Sequence, residues 1–288
     1  MREIPGAFLS RMQTLLGGDY PDFLQAMESA PVRALRENPL KCTALSAPAD
    51  IQTKPLPFSG GGRIFFSDAI GRHPLHHAGA FYVQDPSAIS TVCAASHVLC
   101  PGMRILDLCA APGGKSTQLA GILHGTGMLI ANEISKERCR ILRQNIERMG
   151  VQNAVVTSMD AEKILAYYPG FFDFVLVDAP CSGEGMFRKY PEAVAQWSEE
   201  NVTMCAARQK KILADAAGTV AGGGYLLYST CPFSLEENEQ VIEWFLEKYP
   251  EFTIVPVASD IAAVTADGIS VGRRDLSAAR RFYPHLAP

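Results

Sequence analysis

The fold is indicated by residues 103–123, which read Met-Arg-Ile-Leu-Asp-Leu-Cys-Ala-Ala-Pro-Gly-Gly-Lys-Ser-Thr-Gln-Leu-Ala-Gly-Ile-Leu. The first part, residues 103–109, is a short apolar run that predicts a buried strand. A turn of small residues follows, and residues 113–123 then have the composition of a helix. A strand, a tight turn and a helix in this order are the start of a βαβ unit, the building block of a parallel sheet.

The same alternation continues beyond residue 123. We predict strands at residues 127–132, 154–158, 172–177, 223–229 and 252–257, and helices at residues 135–149, 199–220 and 235–248. Short apolar strands that alternate with amphipathic helices are typical of an α/β fold, in which helices cover both faces of a parallel sheet.

The residues before this pattern predict a smaller unit. Helices are expected at residues 8–16 and at about 22–28, and proline and glycine then accumulate from residue 48 to residue 62. We assign residues 1–75 to a small mixed α/β N-terminal domain and residues 76–100 to a bridging segment and helix. Residues 101–288 form the large α/β domain.

Composition excludes several classes of protein. The 288 residues are 48% hydrophobic and carry a net charge of −4, which excludes a basic protein that coats nucleic acid without selectivity but leaves room for a local basic groove. No signal peptide and no membrane-spanning run is recognised, so we expect a reduced, cytoplasmic protein. We also expect a monomer. The eight cysteines form no Cys-x-x-Cys pair, and His73, His76 and His77 lack partners at ligand spacing, so we expect no metal site.

The turn after the first large-domain strand predicts a cofactor loop. The ending Gly-Lys-Ser suggests a phosphate-binding P-loop, but that motif needs glycine where Cys109 stands, and a dinucleotide fingerprint is also absent. In a doubly wound sheet, ligands bind at the carboxyl ends of the strands. Glu133 lies at the next strand end and can accept hydrogen bonds from ribose hydroxyls, and Asp160 follows the third strand, where it can meet an adenine amino group.

These features together suit S-adenosylmethionine, which has a ribose and an adenine but no phosphate. The loop itself would hold the cofactor through its close backbone approach; it consists of Cys109, Ala110, Ala111, Pro112, Gly113, Gly114 and Lys115. The alternative is that Asp107 and Asp160 are caps and that Glu133 is a solvated loop acid. Arg138, one turn into the following helix, either covers the adenosine or belongs to a solvated face.

Two cysteines follow two further strand ends. They lie in the segments Asp178-Ala-Pro-Cys181-Ser-Gly-Glu-Gly185 and Ser229-Thr-Cys231-Pro232. The carboxyl ends of parallel strands meet at one edge, so both thiols are expected at the catalytic edge. The remaining cysteines are expected to be core or loop residues, because a free cysteine packs as a small hydrophobe; they are Cys42, Cys93, Cys100, Cys139 and Cys205, with Cys109 packing beside the cofactor loop.

The three motifs at residues 107–115, 178–185 and 229–232 resemble, in this order, those of the Nol/Nop/Sun RNA cytosine-5 methyltransferases. Three further stretches match the same family: Arg33-Ala-Leu-Arg-Glu-Asn-Pro-Leu-Lys41, Phe81-Tyr-Val-Gln-Asp-Pro-Ser87 and Arg281-Phe-Tyr-Pro-His285. The resemblance spans nearly the whole chain and is greatest to the bacterial 16S ribosomal RNA branch. Members of that branch usually continue into a further RNA-binding domain, and we expect this chain to be trimmed before it.

The resemblance implies a fold, a reaction and a set of residues. The fold is a Rossmann-like class I S-adenosylmethionine methyltransferase sheet, preceded by an RNA-binding N-terminal domain. Cys231 would add to carbon 6 of the cytosine, because carbon 5 attacks a methyl sulfonium only after such an addition. Cys181 would then assist release as a base, and Asp178 would hydrogen-bond the ring nitrogen. Lys115 would pair with the cofactor carboxylate or the target base, unless it is a helix-surface cation.

Alternatives remain open at this point. DNA cytosine methylases use the Pro-Cys cysteine as nucleophile, which makes Cys181 the rival candidate. The substrate is expected to be ribosomal RNA with the target base flipped out, and the rivals are a tRNA substrate and a non-catalytic RNA-binding ribosome-assembly factor. Among the cations, Arg188 and Lys189 follow the Cys181 loop directly and have the best case for contact with RNA. For the others, which include Arg36, Lys41 and Arg281, solvated charge is as good an interpretation.

Overall fold

The computed structural model describes residues 4–41, 51–59, 61–67 and 69–287, so Cys42 lies outside the described residues. Its helices are α1 (Gly6–Leu16), α2 (Tyr20–Glu28), α3 (Pro74–His77), α4 (Pro86–Ala94), α5 (Gly114–Leu123), α6 (Lys136–Arg148), α7 (Ala161–Tyr167), α8 (Pro191–Gln196), α9 (Glu199–Ala217), α10 (Glu239–Lys248) and α11 (Ser259–Ala262). Its strands are β1 (Ala34–Glu37), β2 (Thr53–Pro55), β3 (Gly62–Phe65), β4 (Phe81–Gln84), β5 (Arg104–Asp107), β6 (Met128–Asn132), β7 (Ala154–Thr157), β8 (Phe172–Asp178), β9 (Val220–Ser229), β10 (Ala266–Asp267) and β11 (Arg280–Arg281).

Five strands form a parallel sheet in the order β7-β6-β5-β8-β9. The chain begins in the middle of this sheet and reverses direction after β7, which is the doubly wound arrangement. The register pairs Asp107 with Ala131 on one side and with Leu176 on the other, and it pairs Asp178 with Ser229. The strands therefore end at a common edge. The predicted α/β fold with a parallel sheet is confirmed.

The chain divides into two compact units. The sheet unit comprises residues 32–178 and 214–229, and the cysteine unit comprises residues up to 31 together with 179–213 and 230 onward. The sheet unit also contains a four-stranded antiparallel sheet in the order β2-β3-β1-β4. The core around the parallel sheet of this unit includes Ile105, Leu119 and Phe174, all at most 1% exposed.

The N-terminal helices belong to the cysteine unit and not with the strands that directly follow them in sequence. Phe8 and Phe23 pack against Phe187, Trp197 and Phe233 in one aromatic cluster. The ring centroids of Phe8 and Phe187 are 5.0 Å apart, and those of Phe23 and Phe233 are 5.3 Å apart, in edge-to-face arrangements that aromatic rings favour. This division differs from the boundary expected at residue 75, because the apolar faces of α1 and α2 are buried by residues distant in sequence. The functional domain assignment stays a prediction.

The strand predicted at residues 252–257 is wrong. These residues have no regular secondary structure, and Val255 is 45% exposed. The apolar residues alternate as in a strand, but Pro256 has no N–H to donate, and β9 is the last strand of the described sheet on that side. A strand that finds no hydrogen-bonding partner is not stabilised by its propensity alone.

Candidate functional site

The predicted cofactor loop connects β5 to α5 at the carboxyl edge of the parallel sheet. Its Ala110 N–H donates to the Asn132 carbonyl over 2.8 Å, which attaches the loop to the end of β6. Gly113 precedes α5 with φ of 111°, a conformation that side chains rarely adopt, and an added Cβ would lie 3.1 Å from Leu142. Glycine at this position therefore lets the turn pack closely on α6.

Asp107, at the end of β5, is fully buried. Its Oδ2 accepts a hydrogen bond from Ser116 Oγ over 2.6 Å, whereas its Oδ1 has no partner within the described residues. Burial raises the pKa of Asp107 to about 7, and the hydrogen bond from Ser116 only partly opposes this shift. The carboxyl group is thus not a simple cap; it keeps an unsatisfied acceptor beside the loop.

Glu133 and Arg138 are joined to each other and to the loop. Arg138 Nη1 lies 3.0 Å from Glu133 Oε2, and Arg138 Nη2 donates to the Ala111 carbonyl over 2.8 Å. Glu133 is 2% exposed, and its Oε1 accepts from the Ser135 N–H. Neither residue is a purely solvated charge, although the Arg138 side chain remains 55% exposed.

Asp160 is more open than the other acids at this edge. It follows β7 and stands at the N-cap of α7, but its side chain makes no capping hydrogen bond. The carboxylate is half-exposed and pairs with Lys163 over 3.1 Å. It is therefore accessible to a ligand, as the adenine interpretation requires.

Asp178 holds two groups at the ends of β8 and β9. Lys115 Nζ lies 2.7 Å from its Oδ2, and Ser229 Oγ donates to its Oδ1 over 2.7 Å. The Lys115 side chain is 15% exposed, which excludes the interpretation of a helix-surface cation. Ser229 is a site residue that the sequence patterns do not predict, although its position at a strand end is a usable signal.

Cys181 and Cys231 lie together in the cysteine unit, with their Sγ atoms 3.2 Å apart. The hydrogen bond with Cys231 lowers the pKa of Cys181, against an opposing effect of burial. Gly185 is needed for this arrangement, because an added Cβ would lie 2.4 Å from the Cys231 carbonyl oxygen. The two sequence-distant thiols are thus brought into direct contact.

Two buried glutamates bind residues of the loops that carry this pair, and neither is predicted from the sequence. Glu184 accepts from the N–H groups of Phe233 and Ser234 and from the Trp197 indole. Glu237 accepts from Ser182 and Ser234. Glu184 lies inside the cysteine motif at residues 178–185. No pattern of residues in that motif indicates that its side chain is buried.

The other described cysteines do not form a comparable thiol pair. Burial raises the pKa of Cys109 well above its usual range, as expected of a packing residue beside the loop. Cys205 is buried and Cys100 is exposed. No disulfide joins the cysteines of the described residues.

Three of the RNA-contact candidates have structural roles. Arg36 is buried, donates to Gly114 O and Thr117 Oγ1, and has its pKa lowered to about 10 by burial. Lys41 donates to the Arg148 carbonyl at the end of α6, and Arg281 is buried against Glu239. Basic residues at these positions therefore stabilise the fold, which their sequence alone did not reveal. Arg188 donates to the Ala26 carbonyl over 3.1 Å.

The residues of the sheet edge fit S-adenosylmethionine. Four carboxylates lie at or just after the ends of four adjacent strands, in the order Asp160, Glu133, Asp107 and Asp178. Hydroxyl, amino and ammonium groups of the cofactor are donors, and these acids are acceptors. The unpartnered buried Oδ1 of Asp107 supplies an acceptor that no described group of the protein satisfies.

The described residues contain no group of three or more His, Cys, Asp and Glu side chains that could hold a metal ion. None of the helices in the described part of the chain is both long enough and apolar enough to cross a membrane.

Comparison with known proteins places the chain in a family. Residues 98–287 match the model for the 16S rRNA methyltransferase RsmB/F, and residues 4–86 match the model for the N-terminal domain of 16S rRNA methyltransferase RsmF. The ribosomal RNA small subunit methyltransferase F of Klebsiella pneumoniae is 34% identical over 278 residues, which cover 92% of this chain and 58% of that protein. This chain therefore spans less than two thirds of the length of that relative.

Solved structures agree with the sequence matches. A crystal structure of a methyltransferase homolog protein from Pyrococcus horikoshii has a TM-score of 0.82 and 27% identity, covering 98% of this chain and 91% of that one. The structure of NSun6 from Pyrococcus horikoshii with SFG, at 21% identity and a TM-score of 0.79, covers 98% of this chain and 95% of that one and shows the same fold. The fold and the family models define a methyltransferase class. The chain belongs to the 16S rRNA methyltransferase RsmB/F family.

Proposed function

We propose that this chain transfers a methyl group from S-adenosylmethionine to carbon 5 of a cytosine in 16S ribosomal RNA, through a covalent cysteine–cytosine intermediate. The observation that carries the proposal is the pair of thiols, Cys181 and Cys231, with Sγ atoms 3.2 Å apart. Methylation of a hydroxyl or an amino group needs no thiol, whereas addition to and release from a pyrimidine ring use a nucleophile and a base.

The cofactor would be held by the sheet unit. Residues 109–114 and Lys115 form the loop around it, Glu133 accepts from the ribose hydroxyls, and Asp160 accepts from the adenine amino group. Arg138 spans Glu133 and the Ala111 carbonyl, so it would cover the same part of the cofactor. S-adenosylmethionine supplies the methyl group as an electrophile when bound.

The two thiols would have different roles, one as the nucleophile and the other as the base. The Cys231 thiol loses its proton to solvent and its thiolate adds to carbon 6, which makes carbon 5 electron-rich enough to take the methyl group from the sulfonium and release S-adenosylhomocysteine. Cys181 then accepts the proton from carbon 5, and the bond from carbon 6 to Cys231 Sγ breaks as the ring becomes aromatic again. The lowered pKa of Cys181 favours its thiolate and so suits a base. Cys231 is assigned as nucleophile from its Thr-Cys-Pro motif.

Asp178 would stabilise the adduct at the ring nitrogen. Its two oxygens already bind Lys115 and Ser229, which orient the carboxyl group. Along the chain, Cys181 follows Asp178 by three positions and Cys231 follows Ser229 by two. The acid and both thiols thus stem from the ends of neighbouring strands β8 and β9.

The test is methyl transfer by the full chain with tritiated S-adenosylmethionine. Undermethylated 16S ribosomal RNA and tRNA are offered separately, and the labelled nucleoside is identified after digestion. We expect 5-methylcytidine in the 16S RNA. Label in tRNA alone would overturn the substrate, label in another nucleoside would overturn the chemistry, and RNA binding without any label would support the assembly-factor alternative.

We propose that the chain acts in the cytoplasm on RNA. A bacterial enzyme that modifies ribosomal RNA works in the cytoplasm, and its partner is RNA in which the target base is accessible. We propose that the chain acts as a monomer, since each copy has its own thiol pair and loop. A single sedimentation measurement checks the oligomeric state.

A further inference from the structure

The spacing of the two thiols must be set by something other than the strands that precede them. Cys181 and Cys231 lie on two separate loops, and 50 positions of sequence separate them. Loops move more than the elements they connect unless other groups hold them. Contact between the Sγ atoms therefore requires groups that hold both loops at once.

Glu237 holds the Cys181 loop. Its Oε2 accepts from the N–H of Ser182, the residue after Cys181, over 3.0 Å, and its Oε1 accepts from Ser182 Oγ over 2.5 Å. Its Oε2 also accepts from Gln209 Nε2 over 2.8 Å, and the same amide nitrogen donates to the Pro180 carbonyl over 3.1 Å. The residues on both sides of Cys181 are thus attached to one carboxylate and its amide neighbour.

Asn238, the next residue along the chain, holds the Cys231 loop. Its Oδ1 accepts from Thr230 Oγ1 over 2.6 Å, and its Nδ2 donates to the Pro232 carbonyl over 3.0 Å. The residues on both sides of Cys231 are therefore attached to a single side chain. Ser234 joins the two systems, because its Oγ donates to Glu237 Oε1 over 3.2 Å and its carbonyl accepts from Asn238 Nδ2 over 2.8 Å.

We propose that Glu237 and Asn238 are positioning residues that fix the distance between the Cys181 and Cys231 thiols, and this inference rests on the proposed function. Each side chain holds the neighbours of one cysteine, and the two side chains are consecutive in the backbone. The peptide bond that joins them therefore transmits a fixed spacing from one cysteine loop to the other.

Burial supports this role. Glu237 is fully buried, and the donors described above are neutral groups of the two loops and of α9. A buried carboxylate is costly unless it is well hydrogen-bonded, so its donors are held firmly in place. Glu239 contrasts with it, because its carboxylate pairs with Arg281 and stabilises the fold without contact to a cysteine neighbour in the described hydrogen bonds.

The test measures thiol geometry directly in the full chain, without RNA. Dibromobimane becomes fluorescent when two thiols displace both of its bromides, and peptide mapping identifies the pair. We expect a bridge between Cys181 and Cys231 in the natural sequence. In Glu237→Ala and Asn238→Ala, bridging should slow by about tenfold while single alkylation of the exposed Cys100 keeps its rate.

Kinetics separate positioning from a merely structural role. We expect kcat for methyl transfer to fall by about tenfold to a hundredfold in both alanine variants, with the KM for S-adenosylmethionine unchanged. Glu237→Gln keeps the shape and part of the hydrogen bonding and should restore most of the bridging rate. Asp173→Asn, which removes an acid bonded to Arg104 in the sheet unit, is the matched control and should bridge normally.

Each outcome decides the proposal. Normal bridging and normal kcat in folded Glu237→Ala and Asn238→Ala would overturn it, as would an equal loss in Asp173→Asn. If an alanine variant does not fold, Ser182→Ala and Ser234→Ala are tested instead. Each removes one hydroxyl hydrogen bond to Glu237 and should slow bridging by a few-fold. Unchanged bridging in these variants would also overturn the proposal. If methyl transfer itself is absent, the proposed function fails. The bridging result alone then decides whether Glu237 and Asn238 fix the distance between the two thiols.

Discussion

Cys181 and Cys231 share a sulfur–sulfur contact of 3.2 Å although 50 positions separate them in the chain. At this distance one thiol donates to the other, so a thiolate at one position is stabilised by the proton on its neighbour. The pair can therefore hold one thiol and one thiolate side by side, as a reaction with an addition step and an elimination step requires.

The first prediction assigns the two thiols. Cys231→Ala should form no covalent RNA adduct, because addition to carbon 6 needs the nucleophile. Cys181→Ala should attack and methylate but stall as a protein–RNA adduct on denaturing gels, because elimination needs a base. An adduct in Cys231→Ala and none in Cys181→Ala would invert the roles and match the DNA-methylase scheme.

The second prediction concerns cofactor affinity. Glu133→Ala should weaken S-adenosylmethionine binding by about 1.5–3 kcal/mol, the loss expected for hydrogen bonds to a charged group. Calorimetric titration measures it, with Glu147→Ala on the exposed face of α6 as a control that should bind normally. An unchanged affinity in Glu133→Ala would reject the ribose assignment.

The third prediction is a pH dependence of stability. The pKa of Asp107 is raised to about 7 by burial, so the folded chain binds this proton more tightly than the unfolded chain does. The stabilising contribution of protonated Asp107 is fully present below its unfolded pKa, near 4, and is lost as the pH rises through about 7. Asp107→Asn should therefore gain stability relative to the natural chain as the pH rises from 5 to 8.

Urea unfolding at several pH values measures this difference. Each difference of one in pKa between the folded and unfolded states corresponds to about 1.4 kcal/mol, so a gain of at least that size is expected. Parallel curves for Asp107→Asn and the natural chain would show that Asp107 is ionised in both states.

The fourth prediction tests a buried ion pair. Arg281 donates to both carboxylate oxygens of Glu239 and to the Phe233 carbonyl, and the two side chains are 7% and 3% exposed. Arg281→Met should lower the free energy of unfolding by about 3–5 kcal/mol, because it leaves a buried carboxylate without its partner. Arg143→Ala removes a surface pair with Glu147 and should cost less than about 0.5 kcal/mol. Equal losses would contradict the structural role of Arg281.

The fifth prediction concerns RNA binding. The chain carries a net charge of −4, and Arg36, Lys41 and Arg281 are committed to internal contacts. We expect weak binding to RNA with a salt dependence of only a few charges. Filter binding at several salt concentrations measures the slope, and tight binding that salt does not weaken would contradict it.

Local patterns predicted the parallel sheet well. The strand that ends at Asp107 and the helix that begins at Gly114 follow from a run of apolar residues and a turn of small ones, and both are visible over a few positions. The strand-end acids were recognised for the same reason. A parallel sheet gathers its carboxyl ends, so order along the chain already implies proximity in space.

The sequence by itself determined the fold class, the cofactor loop and the two cysteine motifs, because each is encoded in short-range periodicity or in contiguous residues. Only the tertiary structure decided which groups surround them. Burial of Arg36, the packing of Phe8 on Phe187, the failure of residues 252–257 to pair and the attachment of Ser182 to Glu237 all depend on partners far away in the chain. A hydrogen bond or a packed side chain is decided by the three-dimensional position of its partner, and no local pattern carries that position.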